Sequence, residues 1–522
     1  MDLWTNGAGL SLMVALPVVG AVILGFMPKK GEEAIKWIGL LTSLLVLGLT
    51  VAAAFVFDYD HSEVFQLGTN RPWITALNSS YEIGIDGISL PMMVLSALVT
   101  VLAIIYSWNH WEEPKNPKAF LILILLLEAG MIGTFVALDL ILFFIFFEVV
   151  LLPMYFMIGI WGDKSERTIP VFNKVVENRL YASLKFFVFT LFGSAFMLLG
   201  FLALYFNSDP RTFSIPGLID QAPALAALPF AGLIFAGLFL GFAVKVPMWP
   251  LHTWLPDAHT AAPTVGSVLL AAILLKLGTY GFIRIAIPIL PEAAKDFAPL
   301  IAVLAVIGII YGSLACLAQT DMKRLIAFSS VGHMGFVMLG ISTLSEVGIN
   351  AAVIGMVAHG VITGMLFFLA GSMSHRYHTR DMARLGGNLV LMPKLGWILS
   401  FTAMASLGLP GLAGFWGEFM ALLSAFDPQA GLPVGLFRVA LVVGAVGTVL
   451  TAGYLLWMLQ KTNLGEPSEE WADSNFPDAD KYELTAWIPL LILTVVIGVY
   501  PKIVFGASEG AVSALIEKAF GG

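Results

Sequence analysis

Lys245 stands in an apolar segment and is followed at once by prolines, in the stretch FAVKVPMWPLHTWLPDAH (residues 242–259). Pro247 and Pro250 have no N–H group, so they interrupt a helix and leave backbone carbonyls near residues 243 and 246 without their usual donors. Inside a membrane, such backbone is tolerated only where protein or a water-filled cavity surrounds it. We therefore predict a buried, hydrated pocket beside Lys245.

Five more titratable side chains lie in apolar segments at similar estimated depth: Glu148, Lys276, His333, His359 and Glu418. His, Lys and Glu are side chains whose surroundings can bring proton exchange close to neutral pH. Together with Lys245, these residues are predicted to form a chain of proton-accepting sites. Taken singly, each His is more often a core residue that hydrogen-bonds a carbonyl.

Glu148 and Lys245 are predicted to act as a pair. The proton affinity of a buried lysine depends on its distance from a carboxylate, so a change in that distance would let Lys245 take up and release a proton. The alternative is a static ion pair that pins two helices together.

Asp86, Asp139 and Asp257 are placed to cap helices.

The composition is that of a protein dissolved in lipid. Of 522 residues, 58% are hydrophobic and 12% are charged, and the mean hydropathy is +0.89. Runs of about 18 apolar residues can cross a bilayer as helices, which predicts an all-α polytopic membrane protein with about fourteen transmembrane helices. Their predicted spans are 8–27, 35–57, 86–107, 119–137, 139–160, 181–206, 228–251, 263–289, 297–318, 325–343, 350–373, 393–420, 433–460 and 484–505.

Several kinds of chemistry find no support in the sequence. It offers no dinucleotide-binding motif, no P-loop, no metal-ligand cluster and no nucleophile with a paired base. The single cysteine, Cys316, allows neither an internal disulfide nor an iron–sulfur cage. We therefore expect no cofactor and no metal on this chain, and no nucleic-acid partner. Redox or ATP chemistry must belong to another chain.

The distribution of positive charge predicts an orientation. Of the 27 Lys and Arg residues, seventeen fall in the loops after odd-numbered helices and six in the even-numbered loops and C-terminal tail. Lys and Arg are enriched in cytoplasmic loops. The odd-numbered loops are therefore predicted to be cytoplasmic and both termini periplasmic. The first apolar run lacks the positive flank of a signal peptide and is predicted to be a retained helix.

Two of the predicted helices are interrupted at related places. Helix 7 is broken by KVPMWP, and helix 12, five helices later, is broken by LGLPGLAGFWGE. Paired interruptions are typical of transporters built from inverted repeats, although Pro and Gly are also common in ordinary membrane helices. The predicted division is 1–107 as an N-terminal three-helix segment, 118–290 as a first repeat (helices 4–8), 297–461 as a second repeat (helices 9–13), and 462–522 as a loop, helix 14 and tail.

Four segments resemble those of one family. LFFIFFEVVLLPMYFMIGIWG, FAVKVPMWPLHTWLPDAHTAAPTVGSVLLAAILLKLGTYG, AQTDMKRLIAFSSVGHMGF and LPGLAGFWGEFM are similar to segments of the antiporter-like, proton-translocating subunits of bacterial respiratory complex I (NADH-quinone oxidoreductase). The resemblance spans essentially the whole chain. It implies fourteen helices with two inverted five-helix repeats and discontinuous helices 7 and 12.

The resemblance also implies roles for individual residues. Glu148 would be the acid that tunes the pumping lysine, Lys245, and Lys276 would be the linking lysine of helix 8. His333 and His359 would connect the two halves. Glu418 would be the terminal proton site of helix 12, and an acid there favours the M branch of the family over the N branch, which usually has Lys.

The same resemblance implies the setting of the chain. It would be a membrane subunit of the complex in the bacterial inner membrane, in contact with lipid and with the neighbouring antiporter-like chains L and N. FMN, iron–sulfur clusters and quinone would be on other subunits. Two alternatives stay open, a subunit of a multisubunit cation/proton antiporter and a scaffold that assembles its neighbours without pumping.

Overall fold

The computed structural model describes residues 2–169 and 174–521, and almost all of its secondary structure is helical. The predictions for the two end residues, 1 and 522, fall outside this range. The helices before the first break are α1 (Asp2–Thr5), α2 (Ala8–Phe26), α3 (Glu32–Val56), α4 (Ser89–Tyr106), α5 (Pro117–Val136), α6 (Leu140–Val149), α7 (Leu151–Trp161), α8 (Asn178–Asn207), α9 (Ile215–Asp220) and α10 (Ala222–Ala226).

The remaining helices run from the first break to the C-terminal end. Those up to the second break are α11 (Ala231–Lys245), α12 (Trp254–Ala261), α13 (Thr264–Leu269), α14 (Leu275–Gly281), α15 (Ile287–Ile289), α16 (Pro291–Leu317), α17 (Met322–Ser342), α18 (Glu346–Tyr377), α19 (Asn388–Leu391) and α20 (Pro393–Ser406). After it come α21 (Ala413–Phe426), α22 (Val434–Thr462), α23 (Lys481–Val499) and α24 (Lys502–Phe520).

Within the described residues, twelve helical spans are long and apolar enough to cross a membrane. Two of the twelve are composite, because α6 and α7 form one span and α13 to α15 form another. The two interrupted helices, α11 with α12 and α20 with α21, are additional to these twelve. The prediction of a polytopic all-α membrane protein is confirmed, and the apolar runs lie where the sequence placed them.

Both predicted breaks are present. Helix 7 ends at Lys245 and resumes as α12 at Trp254, and helix 12 is interrupted between Ser406 and Ala413. Prolines and glycines account for both interruptions, since the intervening residues include Pro247, Pro250 and the sequence LGLPGL.

Two antiparallel pairs of strands occur in polar segments for which no secondary structure was predicted. Strands β1 (Gln66–Ile74) and β2 (Ser79–Ile85) pair antiparallel, as do β3 (Glu166–Ile169) and β4 (Lys174–Glu177). The first hairpin packs against α6, where Asp139 accepts from the N–H groups of Ile141 and Leu142 and so caps that helix as predicted.

The span formed by α13 to α15 and the helices α17 and α18 make up the centre of the bundle. The rest of the chain covers these helices almost completely, whereas α3, α8 and α22 keep large exposed apolar faces. The central span contains two π-helical turns, Leu270–Leu274 and Phe282–Ala286. The helices that carry Lys276, His333 and His359 are therefore those most fully covered by the rest of the chain.

Candidate functional site

Lys276 and His359 are in direct contact at the centre of the bundle. Lys276 lies on α14 immediately after the first π-helical turn, and its Nζ is 2.6 Å from Nδ1 of His359 on α18. The same Nζ donates to the carbonyl of Ala271 at 2.5 Å. Both side chains are buried, so a proton can pass between the two nitrogens without leaving the protein.

His333 and Glu418 form a second contact on the far side of His359. Nδ1 of His333, on α17, is 2.9 Å from Oε1 of Glu418 on α21. The His333 and His359 rings are 5.9 Å apart between centroids. Nε2 of His333 also lies 3.2 Å from the hydroxyl of Ser406. The structure therefore brings together four predicted residues, Lys276, His359, His333 and Glu418, which we call the central relay.

A small cavity fills the gap within the central relay. It has a volume of about 30 Å³ and is lined by His333, His359, Ser406 and Glu418, among others. A cavity of roughly 10–15 Å³ on this measure holds one water molecule when polar partners surround it. Nε2 of His359 is buried with no hydrogen-bond partner among the described residues. A water in this cavity would supply that partner and carry a proton across the gap between the two rings.

The second break shapes the Glu418 end of the central relay. Gly408 has φ = 81°, and a Cβ added there would lie 3.1 Å from Oε2 of Glu418. Glycine adopts this backbone conformation without strain and lets the carboxylate approach the interrupted segment closely. Gly417, next to Glu418, packs against Gly355 of α18 so tightly that an added Cβ would be 2.6 Å from the Gly355 Cα.

Lys245 is buried and Glu148 is partly buried, and the two do not form an ion pair. No Lys245–Glu148 nitrogen–oxygen distance is within 4 Å in the described part of the chain. Instead, Nζ of Lys245 is 3.4 Å from the carbonyl oxygen of Phe147 and 4.5 Å from the centre of its ring. Oε1 of Glu148 is buried without a hydrogen-bond partner among these residues. This geometry does not support the static ion pair, because the two charged groups stand apart.

The break after Lys245 is filled mainly by protein groups. The Ala243 carbonyl accepts from the N–H of Met248 at 3.0 Å, and the Val244 carbonyl accepts from the indole of Trp254 at 2.9 Å. The cavity that touches residues 246–249 has a volume of only about 10 Å³. The Ala243 carbonyl, which Pro247 leaves without its usual donor, is therefore satisfied by the chain itself, and the predicted hydrated pocket is at most the size of one water there.

The sequence reasoning missed His259, which lies in the same segment as Lys245. His259 is fully buried, its ring stacks on Phe367 at 4.6 Å, and neither ring nitrogen has a partner among the described residues. Lys276 and Lys323 both lie close enough to act on this ring electrostatically. A histidine in the sequence HTAAP, just before the helix-breaking Pro263 and between Lys245 and Lys276 along the chain, was the available signal.

A polar cavity of about 720 Å³ lies beyond Lys323, at the end of the bundle that carries the odd-numbered loops. Asp163, Lys323, His375 and Arg380 are among the residues that line it. Burial alone would raise the pKa of Asp163, but the Ser165 N–H and the Arg380 guanidinium hold that pKa below its ordinary value. We call this cavity the vestibule. Lys323 lines the vestibule and is also close to His259, so this one side chain connects the polar surface of the vestibule with the His259 ring.

The prediction that Asp257 caps a helix is wrong. Asp257 lies within α12, and its buried carboxylate accepts from Arg167 at 2.9 Å, Lys185 at 2.7 Å and Arg324 at 3.2 Å. Three cations compete for this carboxylate, which leaves no free oxygen for capping.

Arg284 and Glu128 are two further buried charged residues, to which the sequence assigned no role, and both have partners. Asp86 accepts from the N–H of Ser89 at the start of α4, as predicted for a cap, and is also 2.5 Å from the guanidinium of Arg284. Ser43 donates to Glu128 at 2.8 Å.

One group in the described residues has the composition of a metal site. Ligand atoms of His110, Asp480 and Glu483 lie within 4.8 Å of one another. The carboxylate of Glu483, however, already accepts from Arg376 at 2.8 and 2.7 Å, and Asp480 caps α23 through the Glu483 N–H at 2.8 Å. A guanidinium held by both oxygens opposes a bound cation, so we interpret the group as an ion-pair network between helix ends.

Taken together, the fold and the central relay define a polytopic membrane protein with interrupted helices and a series of buried titratable side chains, which is the class of ion-coupled membrane transporters. Residues 137–444 match the family described as NADH:quinone oxidoreductase/Mrp antiporter, and residues 35–134 match the amino terminus of NADH-ubiquinone oxidoreductase chain 4. The chain belongs to this NADH:quinone oxidoreductase/Mrp antiporter family.

Similarity to individual relatives extends over nearly the full length. The chain is 38% identical over 522 residues to NADH-quinone oxidoreductase subunit M of Rhodobacter capsulatus, covering 97% of this chain and 96% of that protein. It is 40% identical over 498 residues to an NAD(P)H-quinone oxidoreductase chain 4 of Picosynechococcus sp., covering 95% and 89%.

Solved structures give the same fold. A chain of respiratory complex I from Thermus thermophilus superposes with a TM-score of 0.83 at 28% identity, covering 98% of this chain and 99% of that chain. A chain of the Mrp complex from Dietzia sp. superposes with a TM-score of 0.81 at 21% identity, covering 98% and 99%. The second match concerns the fold alone.

Proposed function

We propose that this chain is a proton-translocating membrane subunit of an NADH-quinone oxidoreductase. The observation that carries the proposal is the central relay, in which Lys276, His359, His333 and Glu418 follow one another in the least exposed part of the bundle. Relatives named as NADH-quinone oxidoreductase subunit M match the chain from end to end. Charged groups at membrane depth cost several kcal/mol and are retained where they serve transport.

Protons move through the central relay by short transfers. Lys276 passes a proton to His359 across 2.6 Å, and the water-sized cavity bridges His359 to His333. His333 then exchanges a proton with Glu418 across 2.9 Å. On the supply side, His259 and Lys323 stand between Lys276 and the vestibule, which gives protons from the aqueous phase a route inward.

Glu148 and Lys245 form the second part of the proposed proton path, which lies outside the central relay. Because they stand apart here, a rearrangement that brings the carboxylate to the ammonium would strengthen proton binding at Lys245, and separation would release that proton. Driving this cycle against a membrane potential takes about 2.3 kcal/mol per elementary charge per 100 mV. Electron transfer elsewhere in the complex supplies that free energy.

The redox cofactors belong to other subunits in this proposal. FMN, iron–sulfur clusters and quinone are expected there, and no redox step occurs on this chain. The chain is a multi-pass protein of the bacterial inner membrane, with chains L and N as neighbours and both termini periplasmic. Labelling of single introduced cysteines from one side of the membrane tests the orientation: residues 60–80 should react from the periplasm and residues 461–483 from the cytoplasm, and reversed accessibility contradicts the loop-charge argument.

Two inverted repeats, 118–290 and 297–461, underlie the arrangement, between the N-terminal segment 1–107 and the C-terminal segment 462–522. Their support is that corresponding helices pack together. Helix 6 (α8) packs on α11 of the interrupted helix 7, and helix 11 (α18) packs on α21 of the interrupted helix 12. On this alignment, the acid–base pair Glu148 and Lys245 corresponds to the base–acid pair His333 and Glu418.

A multisubunit cation/proton antiporter is the nearest alternative, since the fold is shared with a chain of the Mrp complex. Purification through a tag on this chain separates the two. Co-purification of flavin, iron–sulfur clusters and NADH oxidation supports the oxidoreductase, whereas a complex without them supports the antiporter.

A non-pumping scaffold is the third possibility, and a variant decides it. His359→Gln removes the titratable ring from the central relay, whereas His61→Gln alters an exposed histidine in a loop and serves as the control. We expect His359→Gln to assemble on native gels yet to lose most proton uptake into vesicles, with the control unchanged. Full pumping by assembled His359→Gln complexes would favour the scaffold.

A further inference from the structure

The three cations around Asp257 are not balanced by acids. Arg167, Lys185 and Arg324 share this single carboxylate, and in the described part of the chain no other carboxylate lies within 4 Å of any of them. The group therefore carries a formal excess of two positive charges. Unbalanced charge that is partly withdrawn from water is costly in a membrane protein unless an anion or water compensates it.

The carboxylate is on the inside of this cluster and the cations are on the outside. The Asp257 side chain is only 4% exposed, whereas those of Arg167 and Arg324 are 36% and 34% exposed. Asp257 lies on α12, which packs between α8 and α17. The uncompensated charge thus faces outward between these two helices.

The cluster lies near the N-terminal ends of α8 and α17. Lys185 is in the third turn of α8, Arg324 is in the first turn of α17, and Arg167 lies on β3, which precedes α8 in the chain. Tyr181 lies beneath both Arg167 and Lys185, at 4.5 and 5.7 Å from its ring centre. Tyrosine at a helix end is typical of the membrane–water interface.

Exposed apolar residues continue from the cluster toward the membrane interior. On α8, Leu184 and Val188 are 56% and 54% exposed. On α16, which packs against α17, Leu314 and Tyr311 are 52% and 40% exposed. Tyr311 contacts His252, five residues before Asp257, with ring centroids 4.9 Å apart. A basic group above two rows of apolar side chains matches a molecule with an anionic head and hydrocarbon tails.

We propose that Arg167, Lys185 and Arg324 form a binding site for the phosphate headgroup of an anionic phospholipid, with its acyl chains along α8 and α16. Basic pockets between transmembrane helices are suited to such headgroups. Asp257 positions the three cations, and Tyr181 supports two of them from below. The site is independent of the proposed proton transport, since it uses none of the relay residues.

Photo-cross-linking tests the site in the intact complex. The purified, detergent-washed complex is titrated with phosphatidylglycerol that carries a photoactivatable group in one acyl chain, and labelled peptides are mapped. We expect saturable labelling of α8 and α16 near Leu184 and Leu314. Each cation near a membrane surface changes the affinity for an anionic lipid about five-fold. The double variant Arg167→Gln/Arg324→Gln should therefore raise the lipid concentration that gives half-maximal labelling about 30-fold.

Matched variants separate charge from damage to the fold. Arg438→Gln is the control, because Arg438, like Arg167, lies over an aromatic ring, that of Phe426 at 4.5 Å, but has no part in the cluster. Arg324→Lys keeps the charge and should restore most of the labelling relative to Arg324→Gln. Labelling that survives the double variant, or that falls equally with Arg438→Gln, overturns the proposal.

Two other occupants are distinguished in the same experiment. Equal labelling by a phosphatidylcholine probe would show that the negative charge is irrelevant, and complete displacement by millimolar inorganic phosphate would indicate a free-anion site. Cross-links from Lys185 to an acidic segment of a neighbouring subunit, with no lipid labelling, would show a protein contact. Each of these results overturns the lipid site.

Discussion

Replacement of Lys245 by Arg distinguishes a proton carrier from a fixed charge. Lys245 is buried, and its ammonium contacts the Phe147 carbonyl at 3.4 Å and lies 4.5 Å from the Phe147 ring, without a carboxylate within 4 Å among the described residues. Arginine keeps the positive charge, the donors and the affinity for an aromatic face. A purely structural lysine should therefore tolerate Lys245→Arg better than Lys245→Ala.

The expected size of the effect follows from acid–base chemistry. A guanidinium releases its proton only above about pH 12, so at pH 7 fewer than about one in 10⁵ molecules would be deprotonated. A site that must release a proton in every cycle then fails, and pumping through this chain should fall by at least about 100-fold. Because pumping is coupled to turnover, quinone reduction should slow with it.

The assay combines proton uptake into vesicles, quinone reductase turnover and native gels that confirm assembly. Lys245→Ala should fail as well, and Lys461→Arg, which conserves charge in the last turn of α22, is the control for the substitution itself. Full activity of an assembled Lys245→Arg complex would refute the proton-carrier interpretation of the residue beside the break.

Three more substitutions test other parts of the structure. Glu148→Gln keeps the shape but removes the titratable oxygen, so pumping should drop to below about a tenth of the wild-type rate; an assembled variant that pumps normally would make Glu148 structural. Gly417→Val should lower the thermal stability of the complex by about 1–3 kcal/mol, because its side chain would collide with the Gly355 backbone, whereas Gly453→Val meets open space and should match wild type in melting experiments. The depressed pKa of Asp163 means that its charge stabilises the fold above the ordinary aspartate pKa of about 4 and that this contribution is lost as pH falls further; wild type should therefore lose melting temperature between about pH 5 and pH 3 more steeply than Asp163→Asn, and parallel curves would contradict this.

The membrane helices were predictable because one property, apolar length, decides them. The breaks were predictable for a similar reason, since Pro247 and Pro250 remove donors wherever they occur. The β1–β2 hairpin was not predicted, because its strands depend on packing against α6 and on partners outside the segment. Local sequence therefore specifies the spans well and the connections poorly.

The candidate site shows the same division. The depth of each titratable residue could be estimated by counting along a helix, which is why Lys276, His333, His359 and Glu418 were grouped before their contacts were known. The separation of Lys245 from Glu148 could not be derived, because a distance of a few Å between two helices depends on how their side chains pack. Asp257 was misassigned because its three cationic partners come from distant parts of the sequence.

The two π-helical turns have a consequence for the angular phase of the central span. Each places one more residue in a turn than an α-helix does, and one residue corresponds to about 100° of rotation around the axis. Leu275 bonds to Leu270, five residues earlier, and the next side chain is that of Lys276, which reaches back to the Ala271 carbonyl. Deleting one residue between 270 and 274 would therefore leave an ordinary α-helical turn with Lys276 still facing His359, whereas the same deletion in an α-helical part of the span would rotate everything beyond it by about 100°. The two π-helical turns are therefore the places where this span can lose a residue and keep the facing of its side chains.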